Sequence, residues 1–276
     1  MTEDAALAGQ LAGHRVVLCY GLFGELMAGL RPLGLDYMAG QRAWLARIGA
    51  DVSVARLPTA APVERNATRL ADLIGGDPRP VALVRHRNRG GEAVAALRRP
   101  GAAARCRAFL ALQAPFRGSP VADAALASGP LRQAAHHALR LARIGEGQGL
   151  LDLTTPVREA WMRDRASAIA ALTAVVPVAS LATAIPDPPG WRDRPYLPLA
   201  RWMAQIGAGP GDGLVPVAST ILPGARHEVL PGGHRALVAA GPGRDPVGLL
   251  RRELALLLAA TPSPPPPSPA PHPLSR

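Results

Sequence analysis

The sequence predicts an α/β fold: a mostly parallel sheet with helices on both faces and a helical insertion near the middle of the chain. Three observations carry that expectation. Apolar runs of strand length alternate with segments of helical spacing along the chain. The 276 residues suffice for one domain with a sizeable core, and the 48% hydrophobic content excludes wholesale disorder. Glycines follow several of the helical segments and stop them.

Residues 1–14 read as an N-terminal extension, and 15–260 as the α/β domain. Arg15–Tyr20 is a short apolar strand ending at Gly21. Leu35–Ile48 sets Leu35, Met38, Trp44, Leu45 and Ile48 at helical spacing and stops at Gly49. Val52–Leu57 alternates as a second strand, and Val63–Ile74 reads as a helix closed by Gly75 and Gly76. Pro80–Val84 predicts the third strand, followed by a helix over Glu92–Leu97. Arg107–Gln113 predicts the fourth and runs into Ala114-Pro115-Phe116-Arg117-Gly118-Ser119-Pro120. From Val121 to about Ala171 the pattern is helical without a convincing strand. An insertion of that length between strands predicts a cap over a site. Strands resume at Val175–Ala182 and His227–Leu230, and Pro246–Ala259 is a closing amphipathic helix. Thr261–Arg276 is proline-rich and makes neither helix nor ladder, which predicts an extended, disordered tail or, alternatively, a ligand for a proline-recognition domain.

All 31 basic residues are arginine, and the formal charge of +11 attracts anions and nucleic acid without specificity. The arginines are scattered, with few aromatics between them and no recognition motif, so no dedicated nucleic-acid partner is expected. Cys19 and Cys106 lie far apart and outside metal-ligand spacing, as buried hydrophobic thiols do. The N-terminus starts acidic (Thr2-Glu3-Asp4), and no run approaches the ~18 apolar residues of a membrane span. A soluble, cytoplasmic protein is expected. Its oligomeric state is left open.

Between the third strand and its helix the chain reads Arg85-His86-Arg87-Asn88-Arg89-Gly90. A strand-to-helix turn in this position is where hydrolases with a nucleophile elbow carry serine, with small residues beside it and with acid and histidine following in the chain. Here Arg87 holds the nucleophile position, and Arg85 and Arg89 hold the small-residue positions. The two later partners have candidates. Gly211-Asp212-Gly213-Leu214-Val215-Pro216 puts a carboxylate in a glycine-rich loop that can turn it inward to orient a histidine; the plain alternative is a turn aspartate. His234, in Leu230-Pro231-Gly232-Gly233-His234, follows the last strand; the alternative is a surface histidine. Tyr20-Gly21-Leu22-Phe23-Gly24 follows the first strand, where a backbone N–H from Leu22 can serve an oxyanion hole, with the Asn88 N–H as second donor.

These blocks, with Ala111–Asp123, resemble the α/β-hydrolase-fold lipases and esterases, the broad group related to bacterial lipases and inositol-deacylase-like proteins. The resemblance covers most of residues 15–260 and implies an α/β-hydrolase-like sheet. It implies Asp212 as acid, His234 as base, Leu22 as oxyanion donor and Arg87 at the nucleophile position.

Arginine stays protonated and has no lone pair to attack a carbonyl, so the sequence predicts weak or no ester hydrolysis. No serine, threonine or cysteine lies within Val81–Leu97, so a one-residue slip supplies no nucleophile. An anionic acyl or phosphate ligand on Arg87, with Arg85 and Arg89 beside it, is the binding expectation; a pairing of Arg87 with Asp212 is the alternative. Two other readings stay open: an active carboxylic-ester hydrolase with a displaced nucleophile, for which Ser119 is the candidate, and a non-catalytic interaction module. His136 and His137 are adjacent and face about 100° apart on a helix, which argues against joint metal binding. No G-x-G-x-x-G follows the first strand, and no Glu/His cluster has metal spacing, so neither cofactor nor metal is expected.

Overall fold

Six parallel strands, in the order β2-β1-β3-β4-β5-β6, form the sheet of the computed structural model, which describes residues 2–20, 38–55, 57, 61–86, 90–127 and 151–260. They are β1 (Arg15–Tyr20), β2 (Asp51–Ala55), β3 (Val81–His86), β4 (Cys106–Leu112), β5 (Val178–Ala184) and β6 (Arg226–Pro231). Because β2 and β3 flank β1 on opposite sides, the strand order reverses between β1 and β3. Connections leave that point over opposite faces and open a crevice at the carboxyl ends of the strands.

Alternation along each strand divides the core in two. Val17, Leu83, Phe109 and Val178 face one helical layer, whereas Val16, Leu18, Val84, Leu110 and Leu181 face the other. The first layer holds helices Val63–Gly75, Gly90–Leu97 and Ala166–Val175. Ala67, Leu70 and Ile74 recur at helical spacing along Val63–Gly75 and are fully buried. The second layer holds Glu3–Leu11, Ala39–Arg47 and Pro246–Ala259. The last begins with Pro246 after Asp245, whose carboxylate accepts the Gly248 N–H at 2.7 Å, and it buries Leu250, Leu254 and Leu257.

Several stretches differ from the sequence expectation, helices Ala102–Arg105 and Leu197–Gln205 among them, and four bear on the layers and the site. The 1–14 stretch contains a helix, Glu3–Leu11, that buries Leu7 and Leu11 in the core and reaches the C-terminal helix through Arg251 on Glu3 and Asp4. Strand β3 continues past Val84, pairing Arg85 with Cys19 and Ala111, and His86 with Tyr20 and Leu112. A charged residue inside the ladder is tolerated because a carboxylate lies against it, as described below. Within 121–171, the described residues form helices Pro120–Ala127, Thr155–Asp164 and the start of Ala166–Val175. Met162, Ile169 and Leu172 join the sheet's own core, so that part of the expected cap is an outer layer of the sheet. Finally, β5 begins at Val178, because the preceding helix runs on to Val175. The proline-rich stretch from Thr261 lies outside the described residues.

No helix of the described residues is long and apolar enough to cross a membrane. Cys19 and Cys106 are free and buried. Burial pushes both thiols up to about 12, and for Cys19 the nearby Arg85 charge only partly offsets it. Neither thiol is therefore expected to react with a disulfide reagent at pH 8 in the folded protein, whereas both should react in denaturant. Native-state labelling at a rate close to the denatured one would contradict this burial. The sign for stability follows: the unfolded thiols ionise near 9 and the folded ones do not, so stability declines as pH rises above about 9.

Candidate functional site

The carboxyl ends of β3, β4, β5 and β6 each bring a polar group to one buried cluster. Asp212 is reached through a tight loop closed by the Gly211–Pro216 bridge and tied to β5 by the Ile185 N–H donating to Gly211 O at 3.1 Å. Gly213 takes φ +94°, and a Cβ there would lie 2.5 Å from the Tyr196 Cβ, so glycine alone fits. The loop turns the carboxylate inward, 1% exposed. The Leu214 and Val215 N–H groups both donate to Asp212 Oδ1 at 2.8 Å.

His234 sits just past β6. The Gly232 N–H donates to Ala184 O at 2.8 Å, and the Gly233 N–H donates to Asp193 Oδ1 at 2.7 Å. Asp193 is itself ion-paired with Arg244. So held, the buried His234 ring donates its Nδ1–H to Asp212 Oδ2 at 2.6 Å. In the neutral ring that bond fixes the Nδ1–H tautomer and makes Nε2 the basic nitrogen.

Gln113 joins the pair to the third strand. It follows β4 directly with φ +50°, an uncommon conformation for a residue with a side chain. Its Nε2 group donates toward Asp212 Oδ2 at 3.1 Å, Gly233 O at 3.2 Å and Thr183 Oγ1. Its Oε1 accepts from His86 Nε2 at 2.9 Å, which makes His86 the Nε2-protonated tautomer at that bond. The His86 and Tyr196 rings flank His234, with centroids 6.2 and 6.3 Å away.

The structure thus brings together the two residues expected as acid and base. The other expectations fare differently. Each Asp212 carboxylate oxygen has two donors in range among the described residues, and the expected alternative pairing with Arg87 falls on a residue outside them. Arg85, expected as an anion binder, is buried and ion-paired with Glu92 of the following helix, each side chain 3% exposed. Its charge is matched internally because β3 carries the side chain into the core. Glu92 also accepts from Asn66 Nδ2 at 2.9 Å. Ser119, the candidate displaced nucleophile, donates its hydroxyl to Leu214 O at 2.6 Å and accepts from the Val121 N–H at 3.2 Å. It ties its loop to the Asp212 loop. Leu22, Arg87, Asn88 and Arg89, and the His136-His137 pair, lie outside the described residues. Among the described residues, no group of three or more His, Cys, Asp or Glu could hold a metal ion.

Sequence reasoning assigned no role to Gln113, His86, Thr183 or Asp193. The signal available for the first two was a single polar residue at the end of an otherwise apolar strand.

No family model matches the chain, and no curated protein matches it. Solved structures do. A metagenomic carboxyl esterase superposes with a TM-score of 0.64 at 22% identity, over 90% of this chain and 75% of its own. The mature lipase BlEst2 of Bacillus licheniformis gives 0.65 at 19% identity, over 88% of this chain and 91% of its own. The Staphylococcus hyicus lipase gives 0.64 at 12% identity, over 90% and 96%. The chain has the α/β-hydrolase fold.

Proposed function

We propose that this is an α/β-hydrolase-fold protein of the lipase/esterase type that keeps the acid–base half of the site and has lost its nucleophile. The observation that carries the reading is the buried Asp212–His234 hydrogen bond of 2.6 Å at the carboxyl edge of the sheet, beside a crossover whose nucleophile position is Arg87. In this reading Asp212 orients the imidazole and stabilises its charged form, and His234 Nε2 is the proton acceptor. An acyl ester or acyl anion is the ligand class, and the backbone N–H groups of Leu22 and Asn88 are its oxyanion donors. A protonated guanidinium offers no electron pair to a carbonyl carbon, so the acid–base pair has no hydroxyl to activate. The two free thiols, buried without a disulfide, suit the cytoplasm as its compartment.

Hydrolysis of p-nitrophenyl butyrate tests the reading. The native protein should turn over this ester no faster than its His234→Ala variant, and a fluorophosphonate probe should leave it unlabelled. His234-dependent turnover, with a serine labelled by the probe, would instead establish a displaced nucleophile.

A further inference from the structure

A cavity of about 720 Å³ has Tyr196 in its wall, and Asp212 and His234 are not among its lining residues. That size suits a small organic molecule. Its apolar part is formed by Trp191, Tyr196, Val238 and Val247, and its polar part by Arg192, Arg235 and Arg244. The three guanidiniums are not equivalent. Arg244 is matched by Asp193. Arg192 has no carboxylate partner among the described residues. It donates Nη1–H to Ala240 O at 2.7 Å and lies over the Trp191 ring at 5.0 Å. It passes so close to Gly241 that a Cβ there would lie 2.9 Å from Nη1. The guanidinium is therefore positioned before any ligand arrives, with further N–H donors to spare. Arg235 is half-buried, and its carbonyl accepts from the Val238 and Ala239 N–H groups, whereas its guanidinium has no hydrogen bond or ion pair among the described residues. The one lining carboxylate, Asp245, is engaged in capping its helix through the Gly248 N–H.

Two guanidiniums without an ion-pair partner among the described residues, with Asp245 the one carboxylate against them, leave a net positive lining beside an exposed tryptophan and a tyrosine. A planar guanidinium matches a carboxylate or phosphate in two-point fashion, and the aromatic faces cover an apolar body. We propose that this cavity binds an amphipathic organic anion, its carboxylate or phosphate on Arg192 and Arg235 and its apolar body against Trp191 and Tyr196. This site is separate from the Asp212–His234 pair and does not depend on ester chemistry. The two meet at Tyr196, whose ring lines the cavity and flanks His234.

Calorimetric titration with 1-naphthyl phosphate, 1-naphthoate and the neutral 1-naphthalenemethanol tests it. Both anions should bind at least tenfold tighter than the neutral analogue, and the tighter anion identifies the head group. Arg192→Ala combined with Arg235→Ala should weaken anion binding at least tenfold, and Trp191→Ala should weaken all three probes. Arg98→Ala, on an exposed helix end elsewhere, controls for attraction to a protein of net charge +11 and should change nothing. His234→Ala should also leave binding intact, which separates this site from the proposed acid–base pair. Equal binding of anions and neutral analogue, or anion binding unchanged in the double variant, would overturn the proposal.

Discussion

Glu92→Ala should lower folding stability by about 3–5 kcal/mol, the loss typical when one member of a buried ion pair is removed. Arg85 and Glu92 are each 3% exposed, so water cannot take over the lost carboxylate. Asn66 also loses its acceptor at 2.9 Å. The pair spans the crossover from β3 to the following helix, at the turn where a nucleophile elbow brings strand and helix together over small residues. Arg85 fills that space with a long side chain, and Glu92 makes its burial tolerable. The replacement of both, Arg85→Met with Glu92→Leu, should return stability to within about 1 kcal/mol of native or raise it, since a packed apolar pair avoids desolvating two charges. Urea denaturation of the three proteins reads both effects. A loss below about 1 kcal/mol in Glu92→Ala would mean that the ion pair does not organise this turn.

The sheet was largely legible in the sequence because its strands are fully buried, and continuous runs such as Val81–Val84 announce themselves. The runs stop at the first charge, which is why the end of β3 was read two residues early. Nothing local in Arg85 shows that a carboxylate seven positions later will neutralise it inside the core. Ala166–Val175 was read partly as cap for a related reason: helical spacing locates an apolar face and not the layer it packs against. At the site, Asp212 and His234 were legible through the glycines that surround them, since Gly213 and Gly232 mark backbone turns that only glycine makes without strain. Gln113 was not. Its importance lies in bridging β3, β4, β5 and the histidine loop at once, and such convergence exists only in three dimensions.

The variant Arg87→Ser with Arg89→Gly, retaining Arg85, should turn over p-nitrophenyl butyrate faster than the native protein does. The argument starts from register. β3 pairs through His86, so the residue that precedes position 87 in the chain is the last of the strand, on the sheet edge that carries the Asp212–His234 pair. His86 is anchored through Gln113 to the same Asp212 oxygen that receives His234. A hydroxyl at 87 is thus one residue from a chain of hydrogen bonds that ends on the proposed base. Arg85 must stay, because Arg85→Gly would remove one member of the buried Arg85–Glu92 ion pair and destabilise the junction that the serine needs. Adding His234→Ala to the serine variant should remove turnover by about 10²–10⁴-fold, the usual range for a positioned general base. Asp212→Asn should also lower it sharply, since the amide cannot stabilise the imidazolium as a carboxylate does. Turnover surviving both changes would show that the new serine reacts without the pair, and a folded serine variant with no turnover would show that the pair is not aimed at position 87. Either result would break the link between the buried hydrogen bond of 2.6 Å and hydrolysis.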